Sequence, residues 1–307
     1  MDNGSPFRQQ LQNCILRCRD IPVVSRLAPT PSGHLHIGNV VNFLLTWLLV
    51  RAMGGHLHLR IDDMDTARCR PDFVESIFAT LAWLELDWDA GPFSVSDFTA
   101  NYSFSVQGDY YWEELRRSLA ETGKLYACTC SRRQIAQASI SGLYPGTCRT
   151  AHLSLQKNGR ATRVHVPSST RITIGADNIA LDRTLGDFIL WRRDGLPAYQ
   201  FASVIDDRDM QTSLVIRGAD LLTSSAAQLY LAGLIDAPVF AQAVFVHHPL
   251  LLDRHQVKLS KSSKAVPAIL SGSSRQIYQL TARLLGLPAE DIVSIDDLLG
   301  VFSAAYC

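Results

Sequence analysis

The sequence predicts an α/β protein in which a parallel sheet carries a nucleotide site, with a small cysteine-bearing insert and a helical C-terminal region. Three observations predict this class. A buried strand-like run over 22–28 leads through a turn rich in proline and glycine into an almost wholly apolar helix over 38–53. Cysteines cluster between positions 128 and 148, beside short alternating runs that are typical of strands. Strand-like and helical runs then alternate again over 188–246, which favours a return to the same sheet.

The first half of the predicted sheet is the clearer part of this pattern. The residues from His56 to Asp62 alternate between apolar and polar, which predicts a strand with Leu57 and Leu59 on its buried face. Asp62 ends that strand, where parallel sheets usually place ligand groups. Pro71 then begins a helix with an apolar stripe that we expect to lie in the core.

The remaining elements continue the pattern with shorter signals. Further strands are expected over 163–166, 171–174, 188–191, 214–217 and 240–246, and further helices over 110–122, 226–234 and 267–285. The segment 90–101 is rich in glycine, proline and serine and predicts a loop. The polar start before Leu11 is expected to be disordered.

Composition is typical of a cytoplasmic enzyme. The longest apolar run, Val40 to Val50, is interrupted by two polar residues and is too short to span a bilayer, and Met1 to Gln10 does not follow the pattern of a signal peptide. The chain has 29 lysine and arginine residues and 29 aspartate and glutamate residues, which gives a net charge of zero. No overall positive charge therefore indicates that the protein binds nucleic acid. Any RNA contact must come from local patches such as Arg132-Arg133 or Arg192-Arg193.

Two short motifs, far apart in the chain, together predict an ATP site. The first runs from Pro29 to Asn39; its glycines let backbone approach a phosphate, and His36 stands at the mouth of the apolar helix. The second puts Lys258 and Lys261 on a serine-rich segment, as a loop closing over a triphosphate requires. Either motif alone is most often an ordinary turn or a solvated loop, so it is their combination that carries the hypothesis.

A second site is indicated by Cys128, Cys130, Tyr144 and Cys148. Zinc takes four soft or borderline ligands in a tetrahedron, and a Cys-x-Cys knuckle supplies two of them from one tight turn. A phenolate is a costly ligand near neutral pH, although a bound dication lowers that cost. Spacing alone leaves open the alternative of three reduced cysteines near a structural tyrosine.

These residues resemble a known family. The two lysines and the turn before His36 are similar to the KMSKS and HIGH signatures of class I aminoacyl-tRNA synthetases, with Asn39 in the place of the second histidine. The chain resembles the glutamate-activating branch of that class over about Val23 to Ala265, and within it most closely the glutamyl-queuosine tRNA(Asp) synthetases. The resemblance is carried by Arg26 to Gly33, Arg60 to Asp65, Arg217 to Leu222, Lys258 to Lys261 and the Cys-x-Cys…Tyr-x-x-x-Cys arrangement.

The resemblance implies a role for each matching residue. The implied fold is the class I synthetase Rossmann-like parallel sheet, with ATP and Mg²⁺ as reactants and zinc as a structural ion. The implied catalytic residues are His36, Lys258 and Lys261; the implied ATP-binding residues are His36, Gly38, Asn39 and Lys261; the implied glutamate-binding residues are Arg26, Ala28, Thr30, Asp62, Tyr199 and Arg217; and the implied zinc ligands are Cys128, Cys130, Tyr144 and Cys148.

The same resemblance implies five parts of the chain. These are an N-terminal extension (1–20), the first half of the catalytic domain (21–100), a zinc-bearing insert (101–185), the second half (186–250), and the KMSKS-like loop with a helical C-terminal region (251–307). Longer glutamyl-tRNA synthetases carry a large anticodon-binding region after the second signature. This chain has only about 45 residues there, so it resembles the short form.

Two departures from the family pattern stand in the sequence. Asp62 occupies a position where the family more often has glutamate, one methylene longer. The segment Ser105 to Gly108 lacks an arginine that the family commonly shows, and no function is assigned to it.

The resemblance also implies the acceptor and the partners. It implies a monomeric enzyme that takes L-glutamate, ATP and queuosine-bearing tRNA(Asp) and contacts no membrane. The alternatives are a truncated glutamyl-tRNA synthetase, another HIGH-type nucleotidyltransferase, or a non-catalytic synthetase-like protein that binds amino acid or RNA. The presence of both His36 and Lys261 argues against the last, since a binding protein need not keep both ends of an ATP site.

Overall fold

The computed structural model describes residues 6–139, 142–250 and 272–307. Within these ranges the helices are α1 (Pro6–Cys18), α2 (Ile37–Ala52), α3 (Pro71–Trp83), α4 (Val95–Asp97), α5 (Phe104–Leu119), α6 (Arg132–Ala138), α7 (Leu181–Thr184), α8 (Tyr199–Asp209), α9 (Leu222–Ala232), α10 (Pro238–Ala241), α11 (Arg275–Leu284) and α12 (Ile295–Tyr306). The strands are β1 (Val24–Leu27), β2 (His56–Leu59), β3 (Leu125–Cys128), β4 (Ala161–Val164), β5 (Arg171–Ile174), β6 (Asp177–Ala180), β7 (Phe188–Trp191), β8 (Leu214–Gly218) and β9 (Val244–His248). In the part of the chain so described, no helix combines the length and the apolar character that a membrane crossing requires.

Two compact units make up the chain. The first comprises the residues up to Val106, Thr212–Asp220 and the residues from Ala243 onwards, and the second comprises Gln107–Gln211 and Leu221–Gln242. The second unit includes β7 and the helices α8 to α10.

Parallel strand pairs form the centre of the first unit. β1 pairs in parallel with β2, and β8 pairs in parallel with β9. β1 and β8 lie side by side, since the N–H of Ser213 donates to the carbonyl oxygen of Val24 at 3.0 Å and the hydroxyl of Ser25 donates to that of Leu214 at 2.8 Å. The parallel α/β arrangement predicted from the sequence is therefore confirmed.

Helix α2 is the main packing element of that unit. Ten of its residues are buried, and it packs against β1, β2, β8, α11 and α12. A helix that is apolar on nearly all sides must be covered on nearly all sides, which explains why strands and helices both surround it. It ends before Gly54, whose φ of +63° is the left-handed conformation that glycine adopts without a steric penalty.

The second unit is built on antiparallel strands. Its three-stranded sheet has the order β3-β4-β7, and β5 and β6 form a separate antiparallel hairpin. Helices α8 and α9 pack against each other, and α8 also contacts β7. The β-rich insert predicted from short alternating runs is observed.

The structure corrects three predictions about local structure. Residues 6–10, expected to be disordered, begin helix α1, because Phe7 is buried together with Leu11. The expected loop over 90–101 contains α4, which Ser94 caps by accepting the N–H of Asp97 at 3.1 Å, and a π-helical turn that follows it. Phe240 belongs to α10 rather than to a strand.

Other boundaries shift by a few residues. The helix expected from residue 110 begins at Phe104, so the divergent segment Ser105 to Gly108 forms its first turns. The last predicted helix, over 267–285, is observed as Arg275–Leu284, and its first five predicted residues lie outside the described residues.

Candidate functional site

His36 forms the N-cap of helix α2. Its Nδ1 accepts the backbone N–H of Gly38 at 3.1 Å and that of Asn39 at 3.4 Å, while Oδ1 of Asn39 accepts the N–H of His36 at 3.2 Å. This reciprocal capping box satisfies N–H groups that the first turn of a helix otherwise leaves without partners. The predicted ATP residues His36, Gly38 and Asn39 are thereby brought together at one helix start.

The cap determines the chemistry of the imidazole. Because Nδ1 accepts two N–H groups, the proton of a neutral ring resides on Nε2, and Nε2 is a hydrogen-bond donor. The helix N-terminus beside it adds partial positive charge. The arrangement therefore presents a fixed donor and a helix dipole, which suit an anionic phosphate.

The predicted substrate residue Asp62 lies just beyond β2, which ends at Leu59 rather than at Asp62 as the sequence predicted. Its carboxylate is buried and accepts both Nε (2.7 Å) and Nη2 (3.1 Å) of Arg60. Its N–H donates to the carbonyl oxygen of Pro29 at 2.9 Å, which ties this segment to the turn after β1. Asp62 thus shares its charge with Arg60 in the structure, although a carboxylate keeps acceptor capacity for a further cation.

Asp63 is a residue of this region to which the sequence analysis assigned no role. Burial raises the pKa of its carboxyl, and the N–H of Phe104, which donates to Oδ1 at 2.9 Å, offsets part of that rise. The contact fixes the start of α5 to the end of the β2 segment. No pattern in the sequence links residues 41 positions apart in this way.

Two buried arginines lie in neighbouring strands. Arg26 in β1 is 5% exposed and Arg217 in β8 is 4% exposed. The guanidinium of Arg217 lies over the ring of Phe245 at 5.3 Å. Burial, and in second place the charge of Arg217, lowers the pKa of His247 to about 4, so this neighbour is neutral at pH 7. The first unit therefore places two buried guanidinium groups in adjacent strands.

The other predicted substrate residues are distributed over both units. Ala28 and Thr30 are half-buried in the turn after β1. Tyr199 is the first residue of α8 and belongs to the second unit. Lys258 and Lys261 lie outside the described residues.

The predicted metal ligands converge in the second unit. The sulfur atoms of Cys128, Cys130 and Cys148 all lie within 4.8 Å of one another. Cys130 Sγ is 3.5 Å from Cys148 Sγ, and the hydroxyl oxygen of Tyr144 is 3.4 Å from Cys128 Sγ and 3.7 Å from Cys130 Sγ. A tetrahedron with metal–sulfur bonds of about 2.3 Å has edges of about 3.8 Å. The four atoms are therefore spaced to surround one metal ion.

The ionisation of Cys148 favours the same interpretation. Burial acts to raise its pKa, but hydrogen bonds from Tyr144 and from the N–H of Thr129 outweigh it and bring the pKa to about 6. The thiol is then largely a thiolate at neutral pH, and the thiolate is the form that binds metals. Burial raises the pKa of the Cys130 thiol and of the Tyr144 hydroxyl, which favours their protonated forms. Binding of a metal would displace these two protons.

A network of charged side chains contacts the Tyr144 ring of the cluster. The guanidinium of Arg163 stacks on the ring of Tyr144 at 3.9 Å, and its Nη1 donates to the carbonyl oxygen of Asp187 at 2.9 Å. The buried carboxylate of Asp187 accepts the hydroxyl of Tyr126 at 2.5 Å and Nη2 of Arg149 at 2.8 Å. Hydrogen bonds to metal ligands and their neighbours orient the ligands, so this network fixes the Tyr144 ring.

Comparison with known proteins shows the family to which the chain belongs. The family of class I tRNA synthetases for glutamate and glutamine, catalytic domain, matches residues 22–269. The chain belongs to this family. The match includes the capped helix, both buried arginines and the cysteine cluster, and the resemblance predicted from the motifs is confirmed.

Similar curated proteins of this family are glutamyl-Q tRNA(Asp) synthetases. The glutamyl-Q tRNA(Asp) synthetase of Symbiobacterium thermophilum is 40% identical over 260 residues, covering 78% of each chain. That of Pseudomonas entomophila is 38% identical, covering 88% of this chain and 87% of the relative.

A solved structure confirms the class I synthetase fold. The chain is similar to a glutamate tRNA ligase from Elizabethkingia meningosepticum, crystallised in complex with its amino acid, with a TM-score of 0.71 and 24% identity. The alignment covers 92% of this synthetase chain. It spans 65% of the length of the solved protein.

Proposed function

We propose that this protein activates L-glutamate with ATP to form glutamyl-adenylate and transfers the glutamyl group to queuosine in the anticodon loop of tRNA(Asp). The observation that carries the proposal is the pair of buried arginines, Arg26 and Arg217, on adjacent strands of the unit that holds the His36 helix start. The names of the relatives supply the acceptor.

Adenylate formation requires charge stabilisation more than acid–base chemistry. The glutamate carboxylate is already a nucleophile, and it attacks the α-phosphorus in line while pyrophosphate departs. Negative charge grows on the phosphate oxygens during this step. A donor at Nε2 of His36 and the N-terminus of α2 meet that charge without reorganisation, because the capping box already holds them.

The lysine segment completes the proposed ATP site. ATP would enter as its Mg²⁺ complex, and the charges of Lys261 and Lys258 would neutralise the leaving pyrophosphate. Gly38 and Asn39 contribute by holding the imidazole of His36 in place, because their backbone N–H groups donate to its Nδ1.

Arginines select glutamate over glutamine. A guanidinium offers two parallel N–H donors to a carboxylate, whereas the amide of glutamine presents its own N–H groups to one of them. We assign the two substrate carboxylates to Arg26 and Arg217 and a supporting hydroxyl to Tyr199, with Ala28 and Thr30 lining the site. Asp62 balances the substrate ammonium, sharing its carboxylate between that group and Arg60.

A zinc ion is the proposed occupant of the cysteine cluster. Cys128, Cys130, Tyr144 and Cys148 provide three sulfur donors and one oxygen donor, a closed set that leaves no position for a substrate. Zinc bound there supplies structural cross-linking, not chemistry. It would join the end of β3 to the turn at Tyr144–Cys148. We further infer that the protein acts as a monomer in the cytoplasm, where its tRNA substrate is found.

Glutamate-dependent ATP–pyrophosphate exchange, measured with purified protein in the absence of tRNA, tests the activation step. We expect exchange with L-glutamate and at least about 100-fold less with L-glutamine, because the amide leaves a buried guanidinium mismatched. L-Aspartate serves as a second control for side-chain length. Absence of exchange with glutamate would refute the proposed adenylation.

A further inference from the structure

A pocket in the second unit adjoins the cysteine cluster and is rich in arginine. Its volume is about 280 Å³, and its charged lining side chains are Arg132, Arg163, Arg192, Arg193 and Asp194. The pairs Arg132-Arg133 and Arg192-Arg193 are some 60 positions apart in the sequence, yet the fold brings a member of the first and both members of the second to one cavity. The metal-cluster residue Cys130 also lines it.

Charge is not balanced inside this pocket. Arg192 pairs with Asp194 at 2.5 Å. Arg132 and Arg193, both exposed, have no acidic partner among the residues that the structure describes, and Arg163 adds a buried guanidinium to the wall. Its Nε atom is buried without a hydrogen-bond partner in that same part of the chain. The cavity therefore carries an excess of positive charge that a bound anion would neutralise.

The floor of the pocket has a different character from its rim. Ile135, Ala161 and Ile189 provide an apolar surface between the arginines. A free inorganic anion gains nothing from such a floor. Both parts of a nucleotide would bind favourably, because the base can lie on an apolar or guanidinium surface while the phosphate pairs with the arginines.

We propose that this pocket, which we call the arginine pocket, binds one unstacked nucleotide of the RNA acceptor through its phosphate group. Arg132 and Arg193 hold the phosphate, and the base lies against Ile135 and Ile189. The inference rests on the proposed function for the presence of an RNA substrate. A cavity of about 280 Å³ suits a single nucleotide from a loop rather than a regular duplex, whose grooves present continuous backbone.

Single substitutions test the arginine pocket. Arg132→Gln and Arg193→Gln remove one charge each at exposed positions and leave the stacked Arg163 in place. Arg171→Gln is the matched control, since Arg171 is an exposed arginine of the same unit on β5, where its Nη1 donates to Asn178. Binding of queuosine-bearing tRNA(Asp) is measured by fluorescence anisotropy between 50 and about 300 mM salt.

We expect each pocket variant to bind the tRNA about three- to tenfold more weakly, with the slope of log affinity against log salt reduced by about one. The control keeps the wild-type affinity and slope. Metal content and glutamate-dependent pyrophosphate exchange stay unchanged in all three variants, which separates lost RNA contact from damage to the cluster or to activation.

Equal affinity and slope in wild type and both pocket variants would overturn the proposal. A parallel titration with inorganic phosphate distinguishes the source of the anion: if the variants lose phosphate binding and keep tRNA binding, the pocket takes a free anion and the RNA assignment is wrong. Failure of the wild-type protein to exchange pyrophosphate with glutamate would instead refute the proposed function and leave the binding result to be judged by itself.

Discussion

Replacing His36 by asparagine is expected to lower glutamate-dependent pyrophosphate exchange by about 100- to 1,000-fold while the thermal stability of the protein changes little. Asparagine is among the best N-cap residues, so its Oδ1 can accept the N–H groups of Gly38 and Asn39 that Nδ1 of His36 accepts now. The imidazole Nε2 donor is lost, and removing one preorganised donor from a developing charge typically costs a factor of this size.

Asn39→Ala is the reciprocal control for that experiment. It removes the Oδ1 acceptor of the His36 N–H but leaves the imidazole in place. We expect about 1 kcal/mol of lost stability and a much smaller loss of activity than in His36→Asn. Thermal unfolding and steady-state exchange are measured on the same preparations. A large loss of stability with proportionate loss of activity in His36→Asn would mean that the histidine acts only as a cap.

Replacing Cys130 by serine is expected to remove most of the bound zinc and to destabilise the second unit by several kcal/mol. The predicted ion has four protein ligands, and the sulfur of Cys130 lies 3.5 Å from that of Cys148 and 3.7 Å from the hydroxyl of Tyr144. Structural zinc contributes about 10–16 kcal/mol to the folding of small zinc domains, and a unit with its own buried core should depend on it less.

Elemental analysis of untagged protein and thermal unfolding with and without a chelator measure this effect. Cys307→Ser is the control, since Cys307 is exposed and far along the chain from the cluster. A chelator should lower the unfolding temperature of the wild type and of the control, and it should have little effect on Cys130→Ser. Wild-type protein without zinc, or a Cys130→Ser variant with unchanged metal content, would contradict the assignment.

Local patterns in the sequence were sufficient to predict the elements that surround the turn between β1 and α2. The apolar run that forms α2 and the alternation that forms β2 each bury a face that periodicity alone reveals. The short helices α4 and α10 escaped prediction because a single turn has no period to detect. The start of α1 was missed because only Phe7 among its first five residues is both apolar and buried.

The candidate sites show the same division. Arg60 and Asp62 are two positions apart, so the alternation over 56–62 places them on the same face of the expected strand, although the strand in the structure ends at Leu59. By contrast, Arg163 on Tyr144 and the N–H of Phe104 on Asp63 join distant positions, and only tertiary packing brings them together. The arginine pocket is of this second kind, because it combines two basic pairs that the sequence could identify only as separate patches.

The central claim is that glutamate, activated in the unit that holds His36, is transferred to queuosine rather than to the end of a tRNA. Radiolabelled glutamate offered with ATP to tRNA(Asp) with and without queuosine tests this most directly. We predict labelling of the queuosine-bearing tRNA alone, and we expect the label to be retained on queuosine-bearing tRNA that lacks its 3′-terminal adenosine. Because periodate cleaves the cis-diol of queuosine as well as that of the 3′ ribose, periodate-treated tRNA should not be labelled. Equal labelling of both tRNAs would contradict the account.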